Sequence, residues 1–121
     1  MFRIEVEGRV PTLNTWLSGT HWRVKARQKK EWQELFWAGF IDAKLPKKLD
    51  TPIILNVTQF CKSIVRDVDN AVLSGKFCLD ALKEYGYIPD DSPKYVSQMT
   101  LTTKKGKRDK SVVIIQYKES V

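Results

Sequence analysis

Cysteine and histidine are scarce in this sequence. Among 121 residues there are two Cys and one His. A structural zinc site takes four such ligands, typically with CxxC spacing, and the composition therefore excludes one. Cys61 and Cys78 are expected to be two buried thiols rather than a disulfide, as in a reducing compartment.

Long apolar runs, repeats and low-complexity tracts are also missing. The opening residues MFRIEVEGRV alternate apolar and charged side chains, which fits neither a signal peptide nor a membrane span. We therefore expect a cytoplasmic protein with no membrane partner. Since a domain usually takes roughly 100–200 residues, the chain is expected to form one domain over residues 1–121.

Positive charge is present in excess and is clustered. Lys and Arg number 21 against 14 Asp and Glu, a formal charge of +7. The first cluster comprises Arg23, Lys25, Arg27, Lys29 and Lys30, and the second Lys104, Lys105, Lys107, Arg108 and Lys110. All four tryptophans lie in or near the first cluster. Cations beside aromatic rings suit a phosphate backbone with partly unstacked bases.

Apolar periodicity predicts a β-α-β-α-β-β order. Strands are expected over 2–10 and 51–60, and helices over 21–43 and 70–85, the second ended by Gly86. Residues 11–20 are expected to be a loop with Thr20 as the cap of the first helix. The expected fold is α+β, a single mixed sheet covered by two helices.

The buried faces of the helices follow from the same periodicity. In the first helix they are Trp32, Leu35, Phe36, Gly39 and Ala43, and in the second Ala71, Gly75, Cys78, Leu82 and Tyr85. Residues 87–93 are expected to be irregular. Residues 95–103 and 111–118 are expected to form an antiparallel hairpin that turns at Gly106. Trp32 is expected in the core, whereas Trp16 and Asn14, in the polar loop, are candidates for a DNA or dimer contact.

The segment Arg66-Asp67-Val68-Asp69-Asn70 is the most specific chemical feature. In an extended segment Asp67 and Asp69 point the same way. Two converging carboxylates form a hard-oxygen site suited to Mg²⁺, with Mn²⁺ as a substitute. The alternative is that Asp69 or Asn70 caps the second helix while Asp67 is solvated.

Two further charged elements follow this segment. Lys76 returns to nearly the same helix face as Asp69 and is suited to stabilise charge on a phosphate oxygen. Its alternative is a surface pair with Asp80. Asp90 and Asp91, in a loop between prolines, are either a second acidic group of the same site or a turn.

Together these residues resemble the RusA-type Holliday junction resolvases, small nucleases common in bacteria and their prophages. The matching pattern is Arg66-Asp67-Val68-Asp69-Asn70, Lys76 four residues before Asp80-Ala81-Leu82, then Gly86 and Asp90-Asp91. Pro11-Thr12-Leu13-Asn14 is similar to the family's N-terminal segment. The sequence departs from the family in having about three more residues between Asn70 and Lys76, and a bulge at Gly75 is expected to absorb them.

The resemblance implies a homodimeric, Mg²⁺-dependent endonuclease that nicks four-way DNA junctions symmetrically during recombination and repair, in a bacterium or a phage-infected host cell. Asp67, Asp69 and Asp91 would bind the metal and Lys76 would assist catalysis. Arg66 and the two cationic clusters would grip the DNA. The alternative functions are a non-catalytic protein that binds branched or single-stranded DNA, and a ribonuclease acting on structured RNA.

Overall fold

The computed structural model describes residues 1–18, 21–63 and 69–118. Its elements in chain order are β1 (Phe2–Glu7), α1 (Leu13–Leu17), α2 (Trp22–Asp42), β2 (Ile53–Cys61), α3 (Asp69–Glu84), β3 (Val96–Lys105) and β4 (Lys110–Tyr117). The fold is α+β with one open, mixed four-stranded sheet, which confirms the expected class. The short helix α1 was not predicted, and the cap predicted at Thr20 lies outside the described residues.

The sheet has the strand order β1-β4-β2-β3. Strands β1 and β2 both pair antiparallel with β4, whereas β2 and β3 run parallel through the α3 crossover. The carboxyl ends of β1, β2 and β3 therefore lie at one end of the sheet, together with the start of β4. We name this the upper end, and the opposite one the lower end.

The predicted hairpin between the last two strands is wrong. β3 and β4 are separated in the sheet by β2, and the loop between them crosses the end of β2, where the Gly106 amide donates to the Cys61 carbonyl at 3.0 Å. The physical reason is burial. In β4, Val112, Val113 and Ile115 are buried, so this strand takes a central position, while the threonine-rich β3 is left at the edge.

The helices cover one face of the sheet. Alternate residues of β2, from Ile53 to Cys61, are buried beneath them. In α3 the predicted buried face is confirmed at Ala71, Gly75, Cys78 and Leu82, while Tyr85 is half-buried. Both cysteines are free and buried, as expected, and burial raises the pKa of each thiol.

The predicted buried face of α2 is right at Phe36 and Gly39 and wrong at Leu35, whose exposed fraction is 48%. Trp32 and Ala43 are half-buried. The apolar face of this helix is narrower than predicted, and its close approach to β1 is at Gly39, beside Ile4 and Val6. No helix among the described residues is both long and apolar enough to cross a membrane.

Close packing of α2 on β1 gives a stability prediction at Gly39. A methyl group added there would lie 2.8 Å from Cγ2 of Ile4 and 3.4 Å from the Glu5 carbonyl. Ile4 is stiff at χ1 and 1% exposed, and the strand must shift to admit the methyl group. We expect Gly39→Ala to lower the free energy of unfolding by about 1 kcal/mol, since overpacking outweighs the gain in helix propensity.

Urea denaturation measures this effect. The neighbouring Ala38→Gly variant, on the exposed side of α2, calibrates the propensity contribution alone. A Gly39→Ala protein as stable as the wild type, or more stable, would show that β1 does not constrain this position.

Candidate functional site

The start of α3 lies at the upper end of the sheet. Ser74, five residues into the helix, contacts Gln59 of β2, with their side-chain oxygens 2.9 Å apart. With a rise of about 1.5 Å per residue, the helix starts roughly 7.5 Å before that contact. The backbone of Asp69 is therefore beyond Gln59, near the end of β2.

A buried polar network fixes this placement. Gln59, Ser74 and Ser111 are each 0% exposed. The Gln59 side-chain oxygen accepts from both serine hydroxyls at 2.9 Å, and its amide nitrogen donates to the carbonyls of Phe60 at 2.8 Å and Lys110 at 3.0 Å. Such a satisfied network specifies a single register of α3 on the sheet. Sequence reasoning missed Gln59, although a glutamine among the inward residues of a buried strand was a usable signal.

The amino-terminal half of α2 lies at the same end. Gly39 packs beside Ile4 in the middle of β1, whereas Trp32 contacts Gly8, just beyond the end of β1. The amino-terminal end of α2 therefore points toward the upper end of the sheet. Residues 22–31 continue in that direction for about 15 Å and carry the first cationic cluster.

The second cationic cluster completes the upper end. Cys61 of β2 pairs with Lys105 of β3, and the Asp109 carboxylate accepts from the Lys62 amide at 2.8 Å. The cations of β3 and of the following loop therefore stand beside the end of β2. Arg9, two residues beyond the end of β1, donates a hydrogen bond to the Ser63 hydroxyl at 2.9 Å. It adds a further cation to the upper end.

Arg66 and Asp67, the first two residues of the Arg66–Asn70 segment, lie outside the described residues. Asp69 is the first residue of α3. The structure describes the backbone of Asp69 and Asn70 but not their side chains. α3 is a regular α-helix through Gly75, so the bulge expected there is wrong. Gly75 instead allows close approach to β3, because an added methyl would lie 2.8 Å from Sδ of Met99.

Lys76 pairs with Asp80, and Lys29 of α2 joins them. The two ammonium groups lie 3.6 Å and 3.5 Å from the same Asp80 oxygen. The expected pair is therefore present, but its carboxylate is shielded from solvent, since the Asp80 side chain is only 8% exposed. That oxygen makes no hydrogen bond within the described structure. Asp80 is held by two cations whose own side chains stay substantially exposed.

Asp90 and Asp91 lie at the lower end. Asp91 is 3.9 Å from Lys83 in the last turn of α3, and the β3 strand that follows begins with Val96 paired to Ile53, the first residue of β2. Along α3, Lys83 is about 21 Å from Asp69. One chain thus holds Asp69 and Asp91 at opposite ends of the helix.

Among the side chains that the structure describes, no three acidic, imidazole or thiol groups lie together as a metal site.

The residues proposed to contact DNA or a second chain are both on α1. The Trp16 ring packs edge-on against Phe77, with ring centroids 5.4 Å apart, and Asn14 is exposed. Packing on α3 accounts for the position of Trp16. Its contact with DNA or a partner stays a prediction.

No protein-family model matches this sequence, and no curated protein matches it.

Proposed function

We propose that this protein is a Mg²⁺-dependent endonuclease that cuts branched DNA, with the four-way junction as its substrate. One observation carries the proposal: the start of α3, where the Asp67–Asp69 segment ends, shares the upper end of the sheet with both cationic clusters. Carboxylates presented at that end of the sheet would stand among many cations, an arrangement that suits a metal ion and a polyanion bound together.

The residues divide the task between them. Asp67 and Asp69 would hold Mg²⁺, and carboxylate oxygens are the ligands this ion prefers. The ion, when bound, supplies a Lewis acid for the scissile phosphate and lowers the pKa of its bound water. Lys76, whose side chain is 59% exposed, would stabilise charge on the phosphate. The clusters from Arg23 to Lys30 and from Lys104 to Lys110, with Arg66, would bind the DNA arms.

Asp91 requires a second copy of the chain if it is also a ligand. About 21 Å of helix separates Asp69 from the neighbourhood of Asp91, and a metal–oxygen bond spans roughly 2 Å. In a twofold dimer the lower end of one subunit can face the upper end of the other. Each site would then combine Asp67 and Asp69 of one chain with Asp91 of its partner. Two such sites would make paired cuts in a junction.

The direct test is cleavage of an end-labelled synthetic four-way junction by the purified protein. We expect symmetric nicks with Mg²⁺ or Mn²⁺, no nicks with EDTA, and no cleavage of a linear duplex of the same sequence. A structured RNA tested in the same assay distinguishes the ribonuclease alternative, which predicts cleavage of the RNA instead of the junction. Absence of nicking with either ion on every substrate would reject the nuclease.

A second candidate is a non-catalytic protein that binds branched or single-stranded DNA. It is favoured by the engagement of Lys76 with Asp80 and by the distance of Asp91 from the start of α3. Such a protein would bind the junction with strong salt dependence. Replacement of Asp67 or Asp69 in such a protein would leave junction binding intact, and neither the wild type nor the variants would cleave.

Lys76 can be distinguished from a structural lysine, because Lys29 makes the same contact with Asp80. We expect Lys76→Gln to lower the single-turnover nicking rate about 100-fold at saturating protein. Lys29→Gln removes an equivalent ion pair, and we expect it to weaken junction binding while the saturated rate stays near that of the wild type. Equal rates for the two variants would assign Lys76 to the Asp80 ion pair alone.

A further inference from the structure

A small cavity opens on the sheet face opposite the helices, at the upper end. Its volume is about 340 Å³, and it is lined by Phe60, Gly106, Lys107, Arg108 and Lys110. Small-ligand sites usually measure about 300–1,000 Å³. Phe60 points to this face because its neighbours Gln59 and Cys61 are buried beneath the helices. The cavity thus combines an aromatic ring with three cations.

The loop backbone lies directly against the ring. A methyl group added at Gly106 would lie 3.1 Å from Cβ and Cδ1 of Phe60, and the Gly106 amide is fixed by its hydrogen bond to the Cys61 carbonyl. Any side chain at position 106 would therefore press on the ring. The loop forms one wall of the cavity while the ring forms another.

Two of the cations are held in place by acidic residues of β1. Arg108 pairs with Glu7 at 3.0 Å, and Lys110 pairs with Glu5 at 3.3 Å. The Lys110 ammonium also lies 5.7 Å from the centre of the Phe60 ring. Hydrogen bonds from Arg3 and Lys110 lower the pKa of Glu5, which favours the charged carboxylate that this pairing requires.

Other cations around the cavity are free to bind an anion. Lys107 lines the cavity, and Lys104 pairs with Phe60 in the sheet. Within the described part of the chain, neither makes an ion pair with an acidic side chain. An apolar floor with a cationic rim fits a ligand that is flat and aromatic at one end and anionic at the other. A nucleotide has this form: its base stacks on the aromatic ring and its phosphate meets the lysines.

We propose that the cavity beside Phe60 receives one unpaired base of a branched nucleic acid, with Lys104 and Lys107 contacting the adjoining phosphates. The inference rests on the proposed function in one respect, that the partner is DNA. It adds a site that recognises the unpaired nucleotide itself. Base stacking on an aromatic side chain contributes about tenfold or more in affinity.

Fluorescence anisotropy of the full-length protein with two labelled duplexes tests this site, in EDTA to prevent cleavage. One duplex carries a single unpaired thymidine and the other an abasic residue at that position. We expect the wild type to bind the first about tenfold more tightly. Phe60→Leu should abolish this difference. Lys107→Gln should weaken both complexes alike, with a salt dependence lower by about one charge.

Equal affinity of the wild type for the two duplexes would overturn the proposal, and so would a difference that survives in Phe60→Leu. Failure to bind either duplex would reject the cavity, while the junction nuclease would still be judged by its own cleavage test. A base-dependent affinity in a protein that never nicks would reject only the nuclease. If Phe60→Leu does not fold, 5-iododeoxyuridine at the unpaired position serves instead: photocrosslinking to Phe60 supports the site, and crosslinking only elsewhere refutes it.

Discussion

Replacing Asp69 by asparagine is expected to lower junction nicking about 10³-fold while leaving junction binding intact. The amide keeps the shape of the side chain but lacks the charge that holds Mg²⁺. Binding should persist, because the cations at the upper end supply most of the affinity for DNA. Single-turnover nicking in Mg²⁺ and anisotropy in EDTA measure the two properties separately.

Asp50→Asn provides the matched control for this variant. Asp50 is exposed and stands just before β2, at the lower end, and the same chemical change there should not alter nicking. An Asp69→Asn protein that nicks at the wild-type rate would show that Asp69 is not a metal ligand and would favour the alternative in which Asp69 or Asn70 caps the helix. Loss of binding together with nicking would instead indicate damage to the DNA-contacting surface.

Local patterns in the sequence were sufficient to predict every helix and strand of the described residues except α1. The spacing of Ala71, Cys78 and Leu82 predicts one buried face of α3, and all three residues are buried. The β-branched and apolar composition of β2 is a similarly local signal, and so is the helix stop at Gly86, which has φ of +80°. Such signals depend on residues within one or two turns of each other, and the sequence displays them directly.

Strand order could not be predicted in the same way. The short connection between Lys105 and Lys110 favours a hairpin when only local geometry is considered. Competition for the centre of the sheet decides otherwise, and it involves residues as far apart as Leu55 and Ile115, which pair across β2 and β4. Burial of two apolar strands outweighs the local preference for a tight turn.

The separation of Asp69 from Asp91 has the same origin. Had the segment between them been interpreted as a crossover joining parallel strands, its helix would have placed the two aspartates at opposite ends of the sheet. The sequence shows that both aspartates are present but does not show how far apart the fold places them. Proximity in the RusA-like pattern therefore does not establish proximity within one chain.

Mixing two inactive variants is expected to restore nicking if the site is shared between subunits. We expect Asp69→Asn and Asp91→Asn to be inactive separately. In a heterodimer of the two, one site would combine the intact Asp69 of one chain with the intact Asp91 of its partner, and the other site would lack both. Equal mixing with free subunit exchange should then recover about a quarter of the wild-type sites.

The product distinguishes this restored activity from contamination or residual activity of either variant. A supercoiled plasmid with an extruded cruciform is linearised by paired cuts, whereas one working site per dimer gives a nicked circle. Mixing should therefore yield nicked circles almost exclusively. No recovery after confirmed subunit exchange would place each site within a single chain, contrary to the 21 Å of helix that separates the residues. Full activity of Asp91→Asn alone would remove Asp91 from the site and leave Mg²⁺ to Asp67 and Asp69.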